Sequence, residues 1–380
     1  MIRRILKWLA LCVLAVVPVL ALRSMYRLAY GAFVPRLKPP DEIVVAGRTL
    51  GELQGDMHFY FGNLHTHTGA SDGIGTARQS LFCARHLMHC DFWAITDHGW
   101  QLSDSEWEEA GRETTGATEE GRFVALRGFE AGRDEPHVGV LQTDACTKLE
   151  PARSLRGFLD WAVEHGGLLE YNHPRPRHVD SLTDPASREH LTLMETGNKE
   201  SGNASDEYLP HYQRALDRGA RVAPADNHDA HNLLQQMMNP HRTVVITRRL
   251  TAASILEALH ARRVYASDDP NQKVLFKLGD AWMGSVVNLA VPAPVTFAVY
   301  VEDDEPIVGI ELVSKAGRVV AHAVPDARQV VWQPTVSVTA GSFFYLRITG
   351  RDMLLDEVLH RRQVTVTAPI WVTVAVSGSL

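Results

Sequence analysis

Between Phe59 and Ala266, apolar runs of four to six residues alternate with longer stretches in which apolar positions recur every three or four residues. Short runs bounded by turn residues read as strands buried on both faces, whereas the three-to-four spacing reads as amphipathic helix. The strands predicted in this way are Phe59 to Leu64, Phe92 to Thr96, Phe123 to Arg127, Val138 to Gln142, Leu168 to Tyr171, Leu191 to Met194, Arg221 to Ala225 and Thr243 to Thr247. The clearest helix sets Leu155, Phe158, Leu159, Ala162 and Val163 on one stripe and stops at Gly166-Gly167. Another opens at Thr251 as an N-cap and buries Ile255, Leu256 and Leu259. Strand and helix in alternation predict a parallel α/β architecture over 58–270.

After Asn271 the pattern becomes one of short alternating strands, such as Val295 to Val301, Val308 to Ser314, Phe343 to Ile348 and Val364 to Thr367, broken by Gly, Pro and Asp turns. This predicts a β-sandwich-like region over 271–380. At the other end, Met1 to Lys7 is basic and Trp8 to Leu22 is an uncharged run of mostly Ala, Val and Leu. A 15-residue apolar core without a clear cleavage site predicts a signal anchor over 1–30, with a cleaved signal peptide as the alternative. With Arg3, Arg4 and Lys7 on the cytoplasmic side, the body would lie outside the cytoplasm, attached to the membrane, or secreted if the segment is removed. Residues 31–57 read as a linker and lead-in stiffened by Pro35, Pro39 and Pro40.

The chain has 380 residues, 45% of them hydrophobic and 22% charged, which excludes a disordered or polytopic membrane protein. Seven of the 38 basic residues and none of the 45 acidic ones fall in the first 40 positions, so the remainder carries 31 basic against 45 acidic residues, or −14. A body this acidic repels nucleic-acid backbones, which argues against general nucleic-acid binding. A small anionic substrate would need a local positive centre.

Imidazole supplies that chemistry, since 15 of 18 histidines lie between His58 and His241. The four cysteines show no C-x-x-C spacing and indicate no thiolate metal site. His65 and His67 stand two apart at a strand end, where i and i+2 share a face. Asp97 and His98 follow the strand at Phe92, Glu130 follows the strand at Phe123, and His137 lies seven residues on. His173, Glu195, Asp226 and His228 also follow predicted strands. In a barrel of parallel strands the carboxyl ends converge on one face, so these groups would gather around one cavity. A ligand set of imidazole and carboxylate without sulfur fits hard or borderline ions such as Zn, Mn or Fe.

The order N-L-H-T-H-T-G-A-S-D-G, A-I-T-D-H-G, the Glu130 and His137 pair, N-H-P at Asn172 to Pro174 and D-N-H at Asp226 to His228 resembles the polymerase and histidinol phosphatase (PHP) superfamily. The E-x6-H spacing, M-E-T-G-N at Met194 to Asn198 and the β-rich tail resemble its carbaryl-hydrolase-like branch. The resemblance implies a distorted (β/α)7 barrel holding two or three divalent metal ions. It places one ion on His65, His67, Glu130 and Asp226, a second on Glu130, His137 and His173, and a third on Asp72, His98 and His228. Glu130, Asp226 and His98 become the catalytic candidates, with Asp97, Glu195 and His231 as groups that orient the ligating imidazoles. Arg175 and Arg177 are candidates for gripping an anionic substrate, with Arg133 and Lys199 behind them. His86, His89, His165, His178, His190, His211 and His241 match no motif and read as structural or exposed.

Paired cations acidify a shared water toward a pKa of about 7 and polarise a phosphoryl or carbonyl oxygen. The expected activity is therefore metal-dependent hydrolysis, of a phosphomonoester or small phosphodiester first, and of a carbamate, ester or amide as the alternative. A membrane-anchored binding protein without catalysis is the reading from another class.

Overall fold

A computed structural model of the chain describes residues 37–133, 136–147, 154–185, 187–198, 204–351 and 362–375. The predicted N-terminal anchor and Lys199 lie outside them. Among the described residues no helix is long and apolar enough to cross a membrane.

Nine strands build the region that carries the histidines: β1 (His58–Asn63), β2 (Phe92–Ile95), β3 (Val124–Ala131), β4 (Val138–Leu141), β5 (Leu168–Tyr171), β6 (Leu191–Gly197), β7 (Ala223–Asp226), β8 (Arg242–Thr247) and β9 (Val264–Ser267). Each of the eight sequence-predicted strands is present, and β9 is an addition. Apart from β1, nearly every side chain along them is buried, as in β2, β5 and β8, which leaves no solvent face to impose an alternating pattern. Ser and Thr N-caps open several of the helices between them. Ser154 accepts from the Gly157 N–H before Leu155–Glu164, and Thr251 accepts from the Ser254 N–H before Ala252–His260. In those helices Phe158, Leu159, Ile255 and Leu259 are buried, while Val163 is exposed and Leu256 is only half-buried.

The strand directions depart from a uniformly parallel barrel. β1, β2 and β3 are parallel, and so are β5, β6 and β7. β4 runs antiparallel to both β3 and β5, and β8 runs antiparallel to β1 and β9. An apolar run carries no sign of its direction, which is why the pattern suggested a single sense. The reversal has a geometric consequence. The starts of β4 and β8 lie level with the ends of their neighbours, so a residue that precedes either strand reaches the same face as residues that follow the others.

The later strands do not stand apart from these nine. β9 pairs with Arg362–Thr367, with Tyr265 opposite Thr367 and Ser267 opposite Thr365. Arg362–Thr367 in turn pairs with Ser342–Arg351, which lies against the long strand Ala293–Val313. One apolar core runs through both regions, from Leu64, Phe92 and Val244 to Phe297, Leu346 and Ile348. Each such side chain contributes about 1.5–3 kcal/mol when fully buried.

Candidate metal centre

The face where the strand ends meet is lined by ionisable side chains. His65 and His67 follow β1 and present their Nε2 atoms to each other at 3.1 Å. Glu130 lies near the end of β3, is completely buried and is the hub. Its Oε1 lies 3.1 Å from His137 Nδ1, 3.1 Å from His173 Nε2 and 3.3 Å from His65 Nε2. Its Oε2 lies 3.0 Å from His98 Nδ1 and 3.4 Å from His67 Nε2. His137 reaches this point because it precedes the reversed strand β4.

Three carboxylates share the cluster. Besides Glu130, Asp72 lies 3.4 Å from His98 Nε2 and 3.3 Å from His231 Nε2. Asp229 Oδ1 lies 3.2 Å from His67 Nε2 and 3.5 Å from His231 Nδ1. Donor atoms fall within 4.8 Å of one another in four overlapping sets: His65, His67 and Glu130; Glu130, His137 and His173; His65, His173 and Asp229; and His67, Asp72, His98 and His231.

These residues fit divalent cations on their own chemistry. His67 Nδ1, His98 Nδ1 and Glu130 Oε2 are buried and make no hydrogen bond among the described residues, although each has an opposite-type atom nearby. Polar atoms buried in this state cost free energy unless something completes their coordination. Burial would raise the Glu130 carboxyl, yet the His65 charge and hydrogen bonds from His137 and His173 hold it well below the usual carboxylate range. Burial would likewise lower His65, but the Glu130, Asp229 and Glu195 carboxylates raise it well above the usual imidazole range. Asp229 is depressed despite burial, chiefly by His65 and by the hydrogen bond with His67.

A layer of buried polar groups orients the ligands. Glu195 Oε1 accepts from His65 Nδ1 at 2.9 Å, which turns Nε2 to the cluster. Its Oε2 accepts from the His173 backbone N–H at 2.5 Å and from Asn198 Nδ2 at 2.6 Å. Asn227 Nδ2 donates to Glu195 at 3.0 Å and to Glu170 at 2.8 Å. Asn63 donates to the His65 carbonyl and accepts from the His228 N–H. His173 and Asp229 adopt left-handed backbone, with φ of 27° and 43°. Such conformations cost about 1–3 kcal/mol and persist where the surroundings fix them.

The structure thus brings together His65, His67, Asp72, His98, Glu130, His137 and His173 of the predicted ligands, and it relocates two others. Asp226 faces His241, with 2.5 Å between Oδ1 and Nδ1, and does not join His65 and His67. His228 is a core histidine whose Nε2 contacts the His241 carbonyl at 2.9 Å and whose ring meets Trp93 edge-on. Burial, and then the Arg242 charge, hold it well below the usual imidazole range. Their places are taken by Asp229 and His231, three residues on. The signal was present as a second D-x-H triplet, Asp229-Ala230-His231, directly following the first. His231 is therefore a ligand candidate and not only an orienting group.

Asp97 contacts no imidazole in the described hydrogen bonds. Its carboxylate accepts from the Thr68 N–H and hydroxyl and from the Ser71 hydroxyl, at 2.6–2.7 Å, and so anchors the loop that carries Asp72. Arg175 and Arg177 are both exposed beside His173. Arg177 Nε donates to His178 Nε2 at 3.1 Å. Arg133 is exposed as well. Trp100, which sequence reasoning passed over, stacks on His98 with ring centroids 4.1 Å apart.

No family model matches the chain, and no curated protein matches it. Among solved structures, the chain is similar to a two-domain Bacteroides vulgatus protein containing a predicted PHP-like metal-dependent phosphoesterase. Identity is 14%, the TM-score is 0.43, and the match covers 77% of this chain and 91% of that one. It is also similar to the CARDB domain of a Pyrococcus furiosus protein, at 15% identity and a TM-score of 0.18, over 28% of this chain and 88% of that one.

Proposed function

We propose that the chain is a metal-dependent hydrolase of the PHP type that cleaves a phosphomonoester or small phosphodiester, with two or three divalent ions of Zn, Mn or Fe. The observation that carries this reading is the Glu130 carboxylate, fully buried with five imidazoles within 3.4 Å of its two oxygens. A carboxylate so surrounded is suited to bridging cations, because both oxygens face nitrogen-donor sets. Ions bound there would supply Lewis acidity toward the substrate and an acidified water.

The chain's own residues supply the rest. Glu195 holds the His65 ring and its tautomer, Asp97 holds the Asp72 loop, and the buried Asn63 and Asn227 keep the two histidine-bearing segments in register. Asp72 is the most open of the three carboxylates, with its side chain 45% exposed, and it lies where a substrate would arrive. Arg175, two residues after His173 and exposed, is the candidate cation for an anionic group. The basic and apolar segment at residues 1–30 supports attachment to a membrane with the body outside the cytoplasm.

Purified full-length protein loaded with Mn2+ or Zn2+ should hydrolyse p-nitrophenyl phosphate or its bis ester and lose that activity on chelation. Activity confined to 1-naphthyl acetate or a naphthyl carbamate would replace the phosphoesterase reading with carbonyl hydrolysis on the same cluster. Tight metal binding without turnover on any of these compounds would favour a binding protein.

A further inference from the structure

Outside the nine-residue cluster, Asp226, His241 and Asp268 bring together a second set of donor atoms, all within 4.8 Å of one another. Strand directions account for the meeting. Asp226 ends β7, Asp268 follows β9, and His241 precedes the reversed strand β8, whose first residue Arg242 lies opposite Ser267. His241 Nδ1 is 2.5 Å from Asp226 Oδ1 and 3.4 Å from Asp268 Oδ1. The side chains of Asp226 and His241 are each 2% exposed and that of Asp268 is 13% exposed.

The two carboxylates meet at one imidazole nitrogen, and Asp226 and Asp268 also share a side-chain hydrogen bond. The adjacent guanidinium of Arg242 is directed elsewhere, since its Nη1 donates to the carbonyl oxygens of His241 and Asn239 at 2.7 and 3.3 Å. Asp268 is also oriented, because its Oδ2 accepts from the Val364 N–H at 2.9 Å while Oδ1 faces His241. Gly197 lets the Asp226 carboxylate pack directly against its backbone, since a Cβ there would lie 2.2 Å from Oδ1.

We propose that Asp226, His241 and Asp268 form a separate site for a divalent cation such as Zn2+ or Mn2+, distinct from the Glu130 cluster. Imidazole with carboxylates is a ligand set these borderline ions accept. The ion would be structural. It would join the segment that leads to Asp229 and His231 to Asp268, and through Val364 to the C-terminal strands.

The test counts metal on the full-length protein after equilibration with Mn2+ or Zn2+ and removal of excess ion. Asp268→Asn should lose about one equivalent per chain, as expected when a ligand leaves a three-ligand site. His65→Ala should lose different ions, so that the losses add in the double variant. Full metal content in a folded Asp268→Asn protein would overturn the proposal. Should that variant not fold, anomalous diffraction from Mn2+-grown crystals of the unaltered chain decides. A peak between the three side chains supports the site, and peaks confined to the Glu130 cluster overturn it while leaving the proposed function standing. No peak at either place would overturn both.

Discussion

Asp229 and Asp226 offer a direct contrast, because two adjacent D-x-H triplets compete for one role and the structure places the second at the Glu130 cluster. Asp229 Oδ1 lies 3.2 Å from His67 Nε2 and 3.5 Å from His231 Nδ1, so a cation bound among these atoms would feel its full charge at short range. Unit charges about 4 Å apart interact by about 4 kcal/mol at an effective dielectric near 20. In Asp229→Asn the amide oxygen keeps part of that interaction, and a loss of about 3 kcal/mol corresponds to about a hundredfold in metal affinity. The expected result is a similar fall in kcat/KM at limiting metal, with melting temperature little changed. Asp226→Asn instead disturbs a buried charge pair, costing about 3 kcal/mol of stability. It should lower the melting temperature while turnover stays within about tenfold, since Glu130 and its imidazoles remain. Paired kinetics, metal counts and thermal melts on the two variants check this. If Asp226→Asn were dead with its Glu130-bound ions intact while Asp229→Asn stayed active, the assignment by geometry would fail.

Glu130→Gln should remove turnover by about 3 orders of magnitude or more while circular dichroism shows the fold retained, because it breaks a bridge between ligand sets; measurable activity near the parent level would contradict the bridging role. Glu195→Gln weakens the acceptor that orients His65, and a drop of about 10- to 100-fold in metal affinity is expected from titration calorimetry. Glu170 gives a pH signature in the metal-free protein. Burial first, and the Glu195 carboxylate second, push its carboxyl from 4.5 up to about 8, so the folded chain keeps a proton that the unfolded chain releases. Its contribution to stability is complete below about 4.5 and is lost as pH rises through about 8. Melting temperatures measured across that window should decline less in Glu170→Gln than in the parent.

Much of the cluster is legible in the sequence because its ligands follow strands that are easy to see. Phe92 to Ile95 is apolar throughout and Leu191 to Met194 is apolar except for Thr192, and such runs, followed closely by Asp or Glu, mark both the strand and the edge of the cavity. What the pattern leaves open is direction and register. Nothing in Val138 to Leu141 says that it runs backwards, so the nearness of His137 to Glu130 rested on resemblance alone. The choice between Asp226 and Asp229 depends on a left-handed turn at Asp229, fixed by the backbone bond from its N–H to the His65 carbonyl 164 residues away in sequence. His241 looked featureless because its partners, Asp226 and Asp268, are brought to it by strand pairing and not by spacing. The strand Val264–Ser267 was overlooked for a related reason. It is four residues long and acquires its meaning from Thr365, Val366 and Thr367, which pair with it from a hundred positions downstream.

That shared strand makes the C-terminal third a buttress and not a detachable module. A fragment that stopped at 270 would lay bare the backbone amides of Tyr265 to Ser267 and half of a common core, an adhesive edge of the kind that drives chains to clump. Gene trimming aimed at a minimal catalyst should therefore keep the strands that seal it.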